Sequence, residues 1–311
     1  MNINVDELAR SGAIINKIRT YYNSKIVGQS QLGVSLLVSM IANGHILLES
    51  VPGLAKTTAA KVMTEAVGGS FSRVQCTPDL LPSDIIGTQT FNMTNNTFET
   101  KIGPVYANFL LLDEINRSSA KTQSAMLEAM QERSISIGGQ TYKLPPVFIV
   151  IATQNPIEQE GTYELSEAQQ DRFLLKEIIT YPNTNEEVEI LNRIEGDVFR
   201  GSSAVATIED IEFLQDLCKR VYISPAIKKY IPANLAEYVA MGSSTRAAIA
   251  FMEVSKAVAL IQGRAYVTPD DVKAMRHEVM RHRIMLIFAA IADGVKEETI
   301  VDAIVGAIVT P

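Results

Sequence analysis

One short run constrains the fold of this chain more than any other segment, namely Ser50-Val51-Pro52-Gly53-Leu54-Ala55-Lys56-Thr57. It follows an apolar, strand-like segment that ends at Glu49, and it precedes a helix-like segment from Thr58 to Val67. A loop in this position can bind phosphate, because the free backbone N–H groups at the start of a helix point toward the anion. The lysine can neutralise phosphate charge, and the threonine hydroxyl that follows it can bind Mg²⁺. The run therefore predicts a phosphate-binding loop.

The match to the strict pattern G-x-x-x-x-G-K-[ST] is incomplete. Ser50 and Ala55 occupy positions where the pattern has glycine, which is preferred there because the backbone bends tightly and approaches the phosphates. Gly53, Lys56 and Thr57 agree with the pattern. Taken alone, the run is also compatible with an ordinary strand-to-helix turn that carries a surface lysine.

A second run decides between these alternatives, because an apolar strand-like segment, Leu110 to Leu112, ends in Asp113 and Glu114. The aspartate can reach the Mg²⁺ shell, and the glutamate can polarise a water molecule. Since neighbouring side chains of a strand point to opposite sides, we expect one carboxylate to face the metal and the other the attacking water. Together, the two runs predict binding and hydrolysis of a nucleoside triphosphate.

Apolar, strand-like segments alternate with helical patterns through the first part of the chain. The predicted strands are Ile46–Glu49, Ser72–Cys76, Phe109–Leu112, Phe148–Ala152 and Leu174–Ile179. This alternation predicts an α/β fold with a parallel sheet between helices and with ligands at the carboxyl ends of the strands. Two hairpins are predicted as insertions, one over Thr88–Met93 and Thr97–Ile102, the other around the Gly-Gly of residues 134–142. Beyond Pro182 the strands are predicted to stop, so we place a domain boundary there, between residues 1–182 and 183–311.

Three further polar side chains are candidates for the site. Asn155 follows a central strand, where an amide can bond both phosphate and water, although a turn asparagine before proline is the simpler alternative. Arg172 is a candidate for an arginine donated to the phosphates of a neighbouring subunit, or it only caps a helix with Asp171. Arg246 opens a late helix and could reach phosphates from there, or it is a surface arginine.

Composition excludes several classes of protein. The 311 residues are 47% apolar and 20% charged, which is ordinary for a soluble globular protein and sufficient for two domains. The net charge of −7 disfavours broad electrostatic binding of nucleic acid. Cys76 and Cys218 have no metal-ligand spacing and predict free thiols in a reducing cytosol. We expect no signal peptide and no membrane span, since the apolar stretch 284–292 is too short, and hence a cytoplasmic location.

Several long runs resemble the MoxR family of AAA+ ATPases, in the helix-two-insert branch. They are IVGQ at 26–29, SVPGLAKT at 50–57, QCTPDLLPSDIIGTQTF at 75–91, GPVYANFLLLDEINRSSAKTQSAMLEAMQER at 103–133, ATQNPIEQEGTYELSEAQQDRF at 152–173, TRA at 245–247 and YVTPDDV at 266–272. The resemblance implies an αβα nucleotide-binding domain with a five-stranded parallel sheet, followed by a small all-α lid domain. The departures from the family pattern are Ser50 and Thr245, which replace a usual glycine and a frequent proline.

The resemblance also implies roles for individual residues. ATP would be held by the loop from Ser50 to Thr58 and by an adenine pocket, which the family forms from the residues that correspond to Val27, Gly28 and Gln29. Mg²⁺ would be held by Thr57 and Asp113, with catalysis assigned to Lys56, Glu114, Asn155 as first sensor, Arg172 as arginine finger and Arg246 as second sensor.

The function implied is an ATP-driven motor, a homo-oligomeric and hexameric ring that remodels or matures client proteins, among them von Willebrand A domain proteins. Two alternatives remain from the sequence, a chelatase-like or helicase-like motor on the same fold, and a nucleotide-dependent scaffold with little hydrolysis. A helicase would need basic hairpins, and the second hairpin carries only Arg133 and Lys143. This pattern disfavours nucleic acid as a partner, and the intact Glu114 and Arg172 disfavour a scaffold.

Overall fold

The computed structural model describes residues 3–51, 53–157, 161–195, 203–231, 239–241, 245–286, 290, 292 and 294–307. The strands are β1 (Ile46–Glu49), β2 (Phe71–Gln75), β3 (Gly87–Asn92), β4 (Thr97–Ile102), β5 (Phe109–Asp113), β6 (Ser134–Ile137), β7 (Gln140–Lys143), β8 (Ile149–Gln154), β9 (Leu175–Ile178), β10 (Val239–Met241) and β11 (Met285–Leu286). The helices are α1 (Val5–Lys25), α2 (Ser30–Ile41), α3 (Lys56–Ala66), α4 (Pro82–Ile86), α5 (Ala120–Glu132), α6 (Glu167–Gln170), α7 (Thr184–Glu195), α8 (Ile208–Arg220), α9 (Pro225–Tyr230), α10 (Thr245–Ile261), α11 (Pro269–Ala274), α12 (Arg276–Met280) and α13 (Glu297–Ala307).

Five strands form a parallel sheet in the order β2-β5-β8-β1-β9. Because side chains alternate along a strand, each strand faces two different cores. Ile46 and Leu48 belong to the core shared with α1, α2 and α3, whereas Leu47 and Leu112 belong to the core shared with α4 and α5. The predicted αβα sandwich with a five-stranded parallel sheet is confirmed.

Two antiparallel hairpins interrupt the alternation of strands and helices, as the sequence predicts. β3 pairs with β4, and β6 pairs with β7. The second hairpin turns at Gly138 and Gly139, with φ of +58° and +83°. Glycine is the residue that adopts two successive positive φ angles without steric cost, and this explains why the Gly-Gly pair marks the turn so clearly.

The later part of the described chain is helical, and its helices begin at the predicted caps. The Thr207 hydroxyl accepts the N–H of Asp210 at 3.2 Å, and the N–H of Thr268 donates to the Asp271 carboxylate at 2.8 Å. The prediction that strands stop near Pro182 is wrong in one detail, because β10 and β11 form a short antiparallel pair. Both strands are too short to show an alternating pattern in the sequence.

The helical part packs against the sheet and its first helices. α10 contacts α1 and α2, and α12 contacts β9. The boundary proposed near Pro182 lies between the end of β9 and the start of α7. In the part of the chain that the structure describes, no helix is both long and apolar enough to cross a bilayer.

Candidate active site

The loop from Ser50 to Ala55 leads from the carboxyl end of β1 into α3. Gly53 and Ala55 have left-handed backbones, with φ of +87° and +54°, and Lys56 is the first residue of the helix. No side chain among the described residues caps this helix. The N–H groups of its first turn therefore remain available to an anion. Pro52, which the sequence assigns to the same loop, lies outside the described residues.

The two non-glycine positions of the loop behave differently. Ser50 is buried with its hydroxyl 3.0 Å from the Val51 carbonyl, and its φ is not positive, so no glycine is required there. Ala55 does adopt the left-handed conformation, which disfavours any residue with a Cβ atom. The departure from the glycine pattern therefore costs conformational energy at Ala55 rather than at Ser50.

Lys56 is half-buried and lies among acidic groups. Its ammonium group is 3.4 Å from the Ser50 carbonyl oxygen. Burial lowers the pKa of Lys56, while the nearby carboxylates of Asp113 and Glu114 oppose that shift. The positive charge is thus placed between the loop and the two acids, where phosphates that enter the loop would meet it.

Asp113 ends β5, and hydrogen bonds fix both of its oxygens. The Thr153 hydroxyl donates to Oδ1 at 2.7 Å, and the Arg73 guanidinium donates to Oδ2 at 2.6 Å and 3.2 Å. Thr153 comes from β8 and Arg73 from β2, the two neighbours of β5 in the sheet. Strand order therefore places three polar side chains at the same edge.

The sequence-based expectation that Asp113 and Glu114 alternate along one strand is wrong. Glu114 lies beyond the strand, and its backbone is left-handed with φ of +57°. Its N–H donates to the Thr153 hydroxyl at 2.8 Å, and its carboxylate accepts from Gln75 at 3.0 Å and from Arg117 at 3.3 Å. A left-handed residue, rather than strand alternation, therefore separates the directions of the two acids.

Asn155 follows β8, the strand between β5 and β1 in the sheet. The side chain is buried, and its Oδ1 accepts the N–H of Ile157 at 3.2 Å. This bond is also the one expected of a turn asparagine, so the position next to the phosphate loop is what favours a role in the site.

A cavity of about 470 Å³ opens beside the start of α3. Its lining combines the loop after α1, the first turns of α3 and one side of α7, through Lys25, Ile26, Val27, Ala55, Thr57, Thr58, Lys61, Val62, Glu65, Ile190, Arg193 and Ile194. Its volume and apolar walls suit a flat heterocycle next to the phosphate loop. Val27 is the residue of the predicted adenine pocket that lines it.

The two residues after Val27 make different contacts. Gly28 has a φ of +71°, and a Cβ atom there would lie 2.9 Å from the carboxylate of Glu186. The Gln29 amide donates to the Thr180 carbonyl at 3.1 Å. These contacts connect the start of α2 with Thr180 and with α7, and neither Gly28 nor Gln29 is among the residues that line the cavity. Two apolar residues of the predicted phosphate loop face the core. Leu54 is buried within the core shared with α1, α2 and α3, and Val51 is partly buried against the same core.

Arg172 and Arg246 lie away from the phosphate loop, at the opposite edge of the sheet. Arg172 precedes β9, and the cavity that it lines also contains Gly44 and His45, which precede β1. Arg246 lines the same cavity, and its guanidinium is 3.6 Å from the Asp171 carboxylate. Since β1 and β9 are parallel, this edge is the amino end of both strands, whereas Lys56 lies beyond the carboxyl end.

Four further polar residues lie at the site without any motif that indicates them in the sequence, namely Arg73, Gln75, Thr153 and Arg117. Arg73 and Gln75 are alternate residues of β2, so they share one face of that strand. Two polar side chains on one face of a predicted strand could have indicated a functional role. That role, however, depends on β2 lying next to β5. The chain order of the strands does not reveal that neighbour.

The donor set suits magnesium. The described residues contain no cluster of three or more histidine, cysteine or acidic side chains that could enclose a metal ion. Mg²⁺ in nucleotide sites is usually held by one or two protein oxygens together with water and substrate phosphates. The hydroxyl of Thr57 in the first turn of α3 and the carboxylate of Asp113 would be the protein oxygens of such a site.

The sheet, its carboxyl-edge loop and the helical part define a nucleotide-binding protein of the AAA+ class. Residues 45–175 match the family described as "ATPase family associated with various cellular activities (AAA)", and residues 232–304 match the AAA lid domain. A curated relative, chaperone MoxR1 of Mycobacterium tuberculosis, is 43% identical over 92% of this chain and 79% of its own length. Protein MoxR of Paracoccus denitrificans is 30% identical over 85% of this chain and 86% of its own length.

A solved structure from Cytophaga hutchinsonii, described provisionally as an ATPase, has the same architecture. It superimposes with a TM-score of 0.92 and 40% identity, covering 98% of this chain and 97% of its own. The chain belongs to the MoxR family of AAA+ ATPases, which confirms the resemblance noted in its sequence.

Proposed function

We propose that this protein binds ATP with Mg²⁺, hydrolyses it, and uses the energy to remodel or mature partner proteins. The observation that carries the proposal is the meeting of an uncapped helix start, Lys56, Asp113, Glu114 and Asn155 at one edge of the sheet. Each group has a distinct chemical use there, and the family to which the chain belongs supports the same assignment.

The phosphates of ATP would lie against the first turn of α3. Backbone N–H groups and the Lys56 ammonium bind their oxygens, and the adenine enters the cavity lined by Val27 and Ile194. Mg²⁺ held by Thr57 and Asp113 would supply charge neutralisation at the phosphates. Arg73 pairs with the Asp113 carboxylate in this structure, so it already compensates part of the negative charge at this edge.

Glu114 is proposed to orient the attacking water and to accept its proton. Its carboxylate is held by Gln75 and Arg117, both of which lie at the same edge. Asn155 is suited to bond the terminal phosphate and the water through its amide. A further positive charge on the far side of the terminal phosphate would stabilise the transition state of hydrolysis.

That charge is proposed to come from Arg172 and Arg246 of a neighbouring copy. Both lie at the amino edge of the sheet, away from the phosphate loop of their own chain. A transferred arginine stabilises the charge that develops on the phosphoryl oxygens. Complete sites would therefore form only between copies, and a hexameric ring is the proposed assembly.

Client proteins, rather than nucleic acid, are the proposed partners. The first hairpin exposes Phe91, Met93 and Phe98. The two phenylalanine rings pack edge to face, with their centroids 5.2 Å apart. Arg133, one of the two basic residues of the second hairpin, instead donates to the carbonyls of Asn43 and Phe148. An apolar hairpin tip with few free cations suits a polypeptide better than a phosphate backbone. Binding of von Willebrand A domain proteins and a cytoplasmic location stay predictions.

A capture experiment tests the proposal. Tagged Glu114→Gln chains, which should hold ATP, and Lys56→Ala chains, which should not, are incubated with purified von Willebrand A domain candidates, with and without ATP. Lys56→Ala should weaken ATP binding at least about tenfold by calorimetry, because the loop loses its cation. Client retention by Glu114→Gln only with ATP supports the proposal. Equal retention by both variants would contradict nucleotide-dependent remodelling, and unchanged ATP affinity of Lys56→Ala would contradict the phosphate site.

A further inference from the structure

Successive lid residues bond to the chain segment that carries Arg172. Arg281, which follows α12, donates to the Lys176 carbonyl at 3.1 Å, and the Nε2 atom of His282 lies 3.1 Å from the Phe173 carbonyl oxygen. Arg283 donates from Nε to the Asp171 carboxylate at 2.8 Å. The lid thus contacts this segment through one side chain after another.

Arg283 makes the most complete set of these contacts. Its side chain is only 3% exposed. Beyond the bond to the Asp171 carboxylate, its terminal nitrogens donate to the carbonyls of Asp171 at 3.3 Å and Leu174 at 3.2 Å, and also to that of Phe173. These carbonyls lie on both sides of Arg172 in the chain. A planar guanidinium with five donors in a fixed arrangement can hold such a backbone segment in one geometry.

Asp171 extends the same arrangement to the second arginine. Its other carboxylate oxygen lies 3.6 Å from the guanidinium of Arg246, which is half-exposed. The Nε atom of Arg172 is itself buried and has no hydrogen-bond partner among the described residues. The backbone on both sides of Arg172 is the part that Arg283 holds, and this backbone sets the point from which the Arg172 side chain extends.

We infer that Arg283 is a positioning residue, which fixes Arg172 through the backbone and Arg246 through Asp171. This rests on the proposed function, in which both arginines act on the nucleotide of a neighbouring copy. Arg283 lies at the amino edge of the sheet and does not reach the phosphate loop of its own chain. Its loss should therefore reduce turnover without weakening ATP binding by the same chain.

The first experiment measures kcat, KM and ATP-analogue affinity for Arg283→Met and Arg283→Lys. We expect kcat of Arg283→Met to fall at least about tenfold, since a small displacement of an arginine that stabilises the transition state is costly. Affinity should change less than about twofold. Arg283→Lys keeps the positive charge beside Asp171 but loses the planar set of five N–H donors. Its turnover should therefore lie between that of Arg283→Met and that of the unmodified protein. An unchanged kcat, or a proportional loss of affinity, would overturn the inference.

Arg276→Met is the matched control, because Arg276 is another lid arginine that bonds within the lid, to Asp302 at 2.7 Å and to Lys273 at 2.9 Å. Arg276→Met should be less stable than the unmodified protein, but its kcat should be the same. Denaturation curves of all three variants compare their folding directly.

The second experiment mixes Arg283→Met chains with Lys56→Ala chains. Each Arg283→Met chain keeps its phosphate loop and can receive well-placed arginines from a Lys56→Ala neighbour, so turnover should rise above that of either variant alone. A misfolded variant could not be rescued in this way. If Arg172→Ala is rescued by the same partner and Arg283→Met is not, the positioning role is wrong. If neither variant is rescued, the shared site of the proposed function is wrong.

Discussion

The two edges of the central sheet are built differently, although β1 and β9 run between them. At the carboxyl edge, the groups come from adjacent strands and from the start of α3, and they hold one another through short local bonds. At the amino edge, Arg172 and Arg246 come from different parts of the chain, and lid residues fix their positions. In the proposed function one chain would therefore be sufficient to bind a nucleotide, whereas the arginine edge depends on how the lid is docked.

The largest expected effect separates the two edges. Arg172→Ala should reduce turnover roughly 10³-fold, the low end of the range for a transferred arginine, and leave ATP affinity unchanged. Mixed with Lys56→Ala chains, it should regain turnover, because a neighbour then supplies the missing arginine. Arg19→Ala, at an exposed position of α1, is the control and should behave as the unmodified protein. Absence of rescue in demonstrably mixed oligomers would contradict a site shared between copies.

The stability of the sheet should also respond to pH, because a buried carboxylate lies where β9 meets α2 and the lid. Burial raises the pKa of Glu177 to about 7, assisted by Glu278 and opposed by the hydrogen bond from Ser35 and by Arg281. The folded state therefore binds a proton that the unfolded state releases. This proton stabilises the folded state fully at pH values below the pKa of Glu177 in the unfolded chain. The stabilisation is lost as pH rises from about 4.5 to about 7.

Glu177→Gln should remove up to about 3 kcal/mol of this pH dependence in the free energy of unfolding. Denaturant titrations at pH 5, 6, 7 and 8 measure it. Glu187→Gln, at an exposed position of α7, should retain the full slope. If the free energy of unfolding changes equally with pH in Glu177→Gln and in the unmodified chain, the pKa of Glu177 is the same in the folded and unfolded states, which would contradict this prediction.

At the carboxyl edge, Glu114→Gln should bind ATP normally and turn it over about 10²-fold more slowly, since the amide cannot accept the proton of water. Glu128→Gln, on the exposed side of α5, should keep full turnover. Phosphate release and analogue binding distinguish the two steps. A largely intact turnover of Glu114→Gln would assign the base to another residue.

The smallest expected effect concerns the loop itself. Ala55→Gly should relieve the left-handed strain at φ of +54° and raise stability by up to about 1 kcal/mol. Ala303→Gly, in the exposed interior of α13, should instead lower stability by about 1 kcal/mol. Thermal unfolding without nucleotide measures both changes. A destabilised Ala55→Gly would mean that the chain entropy of glycine outweighs the strain.

Sequence patterns predicted what depends on local periodicity. The five sheet strands, both hairpins and the cap at Thr207 follow from apolar runs, turn residues and hydroxyl groups. The turn from β1 into α3 was predictable for the same reason, since consecutive residues determine it.

What the sequence did not predict depends on neighbours distant in the chain. Arg73 meets Asp113 because β2 lies beside β5, and the place of Arg246 depends on the docking of the lid. The direction of Glu114 was wrongly predicted because a single left-handed residue ends the strand. Non-glycine residues rarely adopt that conformation, and no pattern announces it.

The position of the two edges at opposite ends of parallel strands also bears on the proposed assembly. β1 has four residues, and strands of that length span about 13 Å, so the two edges of one copy are separate surfaces. In the proposed ring, the carboxyl edge of each copy meets the amino edge of the next copy, which is a head-to-tail contact. Such a contact closes into a ring or continues as a helical filament. Only closure gives every bound nucleotide its arginines, because an open filament has one terminal copy whose nucleotide meets no partner.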